Sequence, residues 1–98
     1  MPAAPDPLRD EREQAWIGDA VLALFARQWV LDRRGSMDGE WFTHLTSNDF
    51  LGCFGTPTRV EAGIGRIYRE QGIAAAFAWI ERELVPLFLR QVAGKRRP

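Results

Sequence analysis

The hydrophobic pattern of the chain is dominated by one block, Gln14-Ala15-Trp16-Ile17-Gly18-Asp19-Ala20-Val21-Leu22-Ala23-Leu24-Phe25-Ala26, its longest apolar run. Wound at about 100° per residue, the block leaves only a narrow polar side of Glu13, Arg27 and Gln28. The spacing predicts a helix that begins near Leu8 to Asp10 and ends at Asp32 or Arg34. Asp10, Glu11 and Glu13 suit its positive N-terminal end, Arg33 and Arg34 its C-terminal end, and Gly35 stops it. A surface apolar nearly all round belongs to a central buried helix, or to one shared with a second subunit.

The pattern continues after Gly35. Trp41, Phe42, Leu45, Phe50, Leu51 and Phe54 form the next apolar set, capped by Ser36 and broken around Thr46-Ser47-Asn48, where Ser47 or Asn48 can cap a second piece. Thr56-Pro57-Thr58-Arg59-Val60-Glu61 marks a helix start in either of two registers. One uses Thr56 as cap with Pro57 in the first position; the other is a Thr58–Glu61 capping box. This helix runs to Gly72, with Val60, Ile64, Ile67 and Tyr68 on its apolar face and Glu61 at that face's edge. Arg59 and Arg66 lie on the solvated side. A last helix covers residues 73 to 92, with Phe77, Ile80, Leu84, Leu87 and Phe88 in the core and Pro86 kinking or dividing it. No strand alternation or repeat is present. The expected fold is all-α with four or five helices, organised as an arm (1–7), a helical domain (8–93) and a basic tail (94–98).

Composition narrows the picture modestly. Ninety-eight residues, 46% of them apolar, suit one small domain with a real core. Net charge is zero, so bulk charge does not advertise a nucleic-acid partner; only clustered Arg and Lys could. The segment Met1 to Pro7 has neither a basic nor an apolar stretch of signal-peptide type, and no run is long enough to span a bilayer. With Cys53 as the one cysteine, no intrachain disulfide is available, and a cytoplasmic location is the default expectation.

Candidate chemistry rests on two carboxylates. Asp19 has Ala15, Trp16, Leu22 and Ala23 as its neighbours one turn away, none of which neutralises it. It caps a helix starting at Ala20, or pairs with a distant arginine, or serves a function. For Glu61 a capping box and a helix-dipole position are the stronger explanation, with chemistry second. If their helices pack, Asp19 and Glu61 could meet, and a divalent ion would offset both charges; oxygen ligands select Mg²⁺ or Mn²⁺. Such an ion activates water and stabilises charge on a phosphate, the requirements of phosphodiester hydrolysis. Other candidates are weaker. His44 is the sole histidine, which excludes His-cluster metal sites; it reads as a surface or core residue. Cys53, in the apolar run Phe50 to Phe54, reads as a packed thiol. The Gly63-Ile64-Gly65 pair lacks the spacing of a dinucleotide site. Lys95-Arg96-Arg97 reads as a solubilising tail or an RNA contact.

Three stretches resemble ribonuclease III domains in the same order. Trp16-Ile17-Gly18-Asp19-Ala20-Val21-Leu22 resembles the family's signature Glu-Phe-Leu-Gly-Asp-Ala-Val-Leu, and Leu45-Thr46-Ser47-Asn48 its Leu-Val-Ser-Asn. Val60-Glu61-Ala62-Gly63-Ile64-Gly65-Arg66-Ile67-Tyr68 resembles its Phe-Glu-Ala-Leu-Ile-Gly-Ala-Ile-Tyr. The resemblance covers most of residues 11 to 90. It implies a compact, all-helical, metal-dependent endonuclease that works as a homodimer on double-stranded RNA. Asp19 and Glu61 would be catalytic and hold Mg²⁺ or Mn²⁺, and Trp16 would enter the partner subunit. Ala15 and Thr58 stand where the family carries two further carboxylates, and the segment between Asn48 and Glu61 is shorter. The reduced ligand set is similar to that of mini-ribonuclease III, which matures ribosomal RNA. A non-catalytic RNA- or ribosome-associated dimer is the alternative, and a helical dimerisation module without an RNA role is a third.

Overall fold

The computed structural model describes residues 6–95, and every regular element in it is helical. The helices are α1 (Pro7–Arg34), α2 (Gly39–Thr46), α3 (Asn48–Leu51), α4 (Pro57–Gln71), α5 (Ile73–Glu83) and α6 (Val85–Lys95), with a 3-10 turn at Gly52–Phe54. No described helix is long and apolar enough to cross a membrane.

Local chemistry explains most of the ends. The Asp6 carboxylate accepts from the Leu8 amide at 3.0 Å, so α1 starts at Pro7 and Pro7 belongs to the domain rather than to the N-terminal arm. Residues 1–5 of that arm lie outside the described residues. Gly35 closes α1 in a left-handed conformation (φ 75°), donating to the Leu31 carbonyl. Asp38, not Ser36, caps α2, because its other carboxylate oxygen is held by Arg34 at 3.2 Å. Ser47 caps α3 through the Phe50 amide, and Thr56 caps α4 through the Arg59 amide. The capping-box register is therefore not used, and Glu61 lies in the second turn of α4. The last helical stretch is divided at Leu84, with Pro86 in the first turn of α6 where its missing amide costs little. That division and the break at Ser47 raise the helix count to six. Helix α6 also continues through Lys95, into the segment expected to be tail; Arg96, Arg97 and the Lys95 side chain lie outside the described residues.

Leu22, Phe25 and Ala26 of α1 form a core with Leu45, Phe50, Leu51, Val60, Ile64, Ala76, Ile80, Leu84 and Phe88. Phe88 gathers an aromatic group: Trp29, Trp41, His44 and Phe50 all meet it edge-on, with ring centroids 5.0–6.1 Å away. Helix α1 is not buried all round. Trp16, Ala20, Leu24 and Leu31 leave an exposed apolar stripe along it.

The closest inter-helix contact is between α1 and α4. A Cβ on Gly18 would collide with the Glu61 carbonyl and approach the Gly65 nitrogen to 2.9 Å. A Cβ on Gly65 would collide with the Gln14 carbonyl. The helices thus touch backbone to backbone, which only glycine permits here. Gly63 differs: a Cβ there would meet nothing within 4 Å, so packing does not require a glycine that costs a helix interior roughly 1 kcal/mol relative to Ala.

The contrast is measurable by thermal or urea melts. Gly18→Ala and Gly65→Ala should each destabilise the protein by about 2 kcal/mol or more through overpacking. Gly63→Ala should stabilise it by about 0.5–1 kcal/mol.

Candidate functional site

The glycine contact determines what lies beside it. Asp19 follows Gly18 on α1, and Glu61 supplies the carbonyl against which Gly18 packs. The two side chains lie close enough for the Asp19 carboxyl to act on the ionisation of Glu61. Glu61 is half-buried while Asp19 is exposed. The apolar neighbours of Asp19 therefore do not bury it. Ala15 and Leu22 do turn into the core, but Trp16 and Ala20 turn outward, and Asp19 sits at the boundary between the two sets. It neither starts a helix, since it lies mid-helix in α1, nor forms an ion pair with an arginine among the described residues.

The electrostatic consequence falls on Glu61. Burial is the larger cause and the neighbouring Asp19 carboxyl adds to it; both disfavour its ionised form. Its carboxyl is pushed from the ordinary 4.5 up to about 7.

The positions that resemble the family's other carboxylate positions hold nothing that ionises. Ala15 is buried, and Thr58 is exposed in the first turn of α4. Among the described residues, no three His, Cys, Asp or Glu side chains converge as a metal-binding group. The pair offers two carboxylates and no more.

Trp16 lies one turn before Asp19 and is 80% exposed. With Ile17, Ala20, Val21, Leu24, Tyr68 and Ile73 it lines an open apolar groove of about 470 Å³. Large aromatics rarely stand this far into water without a partner. Of the remaining sequence candidates, His44 is half-buried and bonded to Gln91 at 2.6 Å, which gives it a structural role. Cys53 is exposed rather than packed, because the 3-10 turn rolls it outward while Phe50 and Leu51 take the core; the Gln91 side chain donates to its sulfur. The basic run Lys95-Arg96-Arg97 cannot be placed relative to the carboxylates, since its side chains lie outside the described residues.

Comparison with family models, with curated proteins and with solved structures finds no match for this chain.

The raised Glu61 carboxyl has a sign that can be checked. Between about pH 4.5 and 7 the native state keeps a proton that the unfolded chain has released. Metal-free stability therefore falls as pH rises through that window, and the loss is complete above about pH 7. Melts in chelator should show Glu61→Gln more stable than the parent at pH 8 and equal to it near pH 4. A parent protein that gains stability relative to the variant from pH 5 to 8 would contradict the assignment.

Proposed function

We propose that the chain is a metal-dependent endoribonuclease of ribonuclease III type, hydrolysing phosphodiester bonds in double-stranded RNA as a homodimer. The observation that carries the reading is the meeting of Asp19 and Glu61 at a glycine contact between two helices. Residues 42 apart, on α1 and α4, place two acids together, and neither forms an ion pair among the described residues.

A divalent cation suits this pair. Carboxylate oxygens are hard donors of the kind Mg²⁺ and Mn²⁺ prefer, and a cation would remove the penalty that raises the Glu61 carboxyl. Asp19 and Glu61 would hold it; once bound, such an ion activates water and stabilises charge building on a phosphate. Mg²⁺ usually keeps several waters, so two protein carboxylates suffice if water and the RNA phosphate complete its shell. The exposure of Asp19 leaves that side open to a polyanion, whereas half-buried Glu61 stays fixed by its helix. The groove around Trp16 supports the homodimer: a second copy would cover the indole, Tyr68 and Ile73.

The absence of a third convergent carboxylate among the described residues favours one second reading, an RNA- or ribosome-associated dimer without catalysis. Maturation of ribosomal RNA would be the cellular task on the first reading, and ribosome association on the second.

Cleavage of a long RNA duplex in Mg²⁺ or Mn²⁺ separates them. The first reading expects cutting that Asp19→Asn and Glu61→Gln each reduce by about 100-fold or more. Trp16→Lys should yield a monomer by sedimentation, with weakened cutting. Folded, dimeric parent protein that binds duplexes but does not cut them would assign the second reading. A folded monomer at micromolar concentration would remove the homodimer from both.

A further inference from the structure

A groove that the carboxylate pair does not use lies between α4 and α5. It encloses about 450 Å³ and is lined by Phe54, Gly55, Arg59, Val60, Gly63, Trp79 and Glu83. Its floor is open because Gly63 has no side chain and a Cβ there would meet nothing.

The walls have a definite chemistry. Phe54 is 38% exposed although its ring rests edge-on against Phe50. Trp79 is half-buried, packed on the core from its other side. Arg59 is exposed on the α4 rim and forms no ion pair among the described residues. Glu83 on the α5 rim is held by neighbouring Arg82 at 3.6 Å, which offsets its charge. The lining therefore offers two aromatic side chains, a guanidinium without an ion pair among the described residues, and the space left by Gly63.

A ligand matching this set is flat, apolar on its faces and negatively charged at one edge. We infer that the groove over Gly63 takes one unpaired nucleotide of single-stranded RNA, its base against Phe54 and Trp79 and its phosphate on Arg59. Unstacked bases are typically recognised on aromatic side chains with Arg at the phosphate. The choice of a nucleotide rests on the RNA-acting reading above. It adds a contact for the single-stranded nucleotides that flank a duplex, on the α5 side of α4.

The test is titration of the full chain with a 5′-phosphorylated pentaadenylate, without divalent metal, followed by tryptophan fluorescence and calorimetry. Arg59→Gln and Gly63→Leu should each weaken binding about tenfold, the scale of one base stack. Arg59→Gln should also lower the slope of log K against log salt by about 0.7, one phosphate contact. Gly63→Leu fills the floor and favours the helix, so its melting temperature should equal or exceed the parent's, which excludes misfolding as the cause. Equal affinity in parent and Gly63→Leu, or no binding by the parent at millimolar ligand, overturns the inference. So does a groove that binds a peptide with an aromatic C-terminal residue in preference to the oligonucleotide. Duplex cleavage assayed on the same preparations keeps the two ideas apart. Cutting without Gly63-dependent binding removes the groove alone, and Gly63-dependent binding without cutting removes the endonuclease alone.

Discussion

The backbone contact of α1 with α4 at Gly18 and Gly65 sets the spacing to which the rest of the molecule conforms. Neither helix can carry a methyl group at the contact, so the two lie as close as backbones can. That closeness fixes the side chains that emerge beside it, Asp19 from one helix and Glu61 from the other. Side chains of ordinary size at the contact would push the helices apart and separate the acids. The glycines stabilise little by themselves, since a helix interior favours almost any other residue. Their value is positional, and the burial of Glu61 beside a like charge is its energetic counterpart.

The same contact divides the surface of α1. One side passes to the core through Leu22, Phe25 and Ala26, which bury against α4 and the helices beyond. The other side, through Trp16, Ala20, Leu24 and Leu31, stays in water. Asp19 lies where these sides meet, so one helix joins the charged pair to the exposed apolar stripe. At the far end of α1, Trp29 stacks on Trp41 and both meet Phe88 edge-on, anchoring α2 and α6. The aromatic cluster leaves the carboxylate end as the part of α1 with exposed, unsatisfied chemistry.

Features encoded within a few residues were legible in the sequence. Gly35, Ser47, Thr56-Pro57 and Gly72 each act on neighbouring backbone, and each ends or starts a helix where local chemistry places it. The all-α architecture followed from the same signals. What was not legible depends on distance. Ser36 and Asp38 are both good caps, and only the Arg34 contact selects Asp38. Cys53 sits in an apolar run, but a 3-10 turn changes which of its neighbours faces inward. Glycine stands at 18, 63 and 65 alike, yet two of these pack against a backbone and one lines a groove. Asp19 and Glu61 were visible as separate anomalies, each with an ordinary explanation. Their meeting is a property of the helix crossing, which no local pattern encodes.

The central claim is that the crossing builds a divalent-cation site from Asp19 and Glu61. Its most direct test is the melting temperature of the protein at pH 8 across a Mn²⁺ titration, with Asp19→Asn measured alongside. A ligand that binds only the native state stabilises it by RT ln(1 + [L]/Kd). The account predicts a rise that grows logarithmically with Mn²⁺ in the parent protein and is absent in Asp19→Asn. A flat response in the parent, or an equal rise in both proteins, would contradict it.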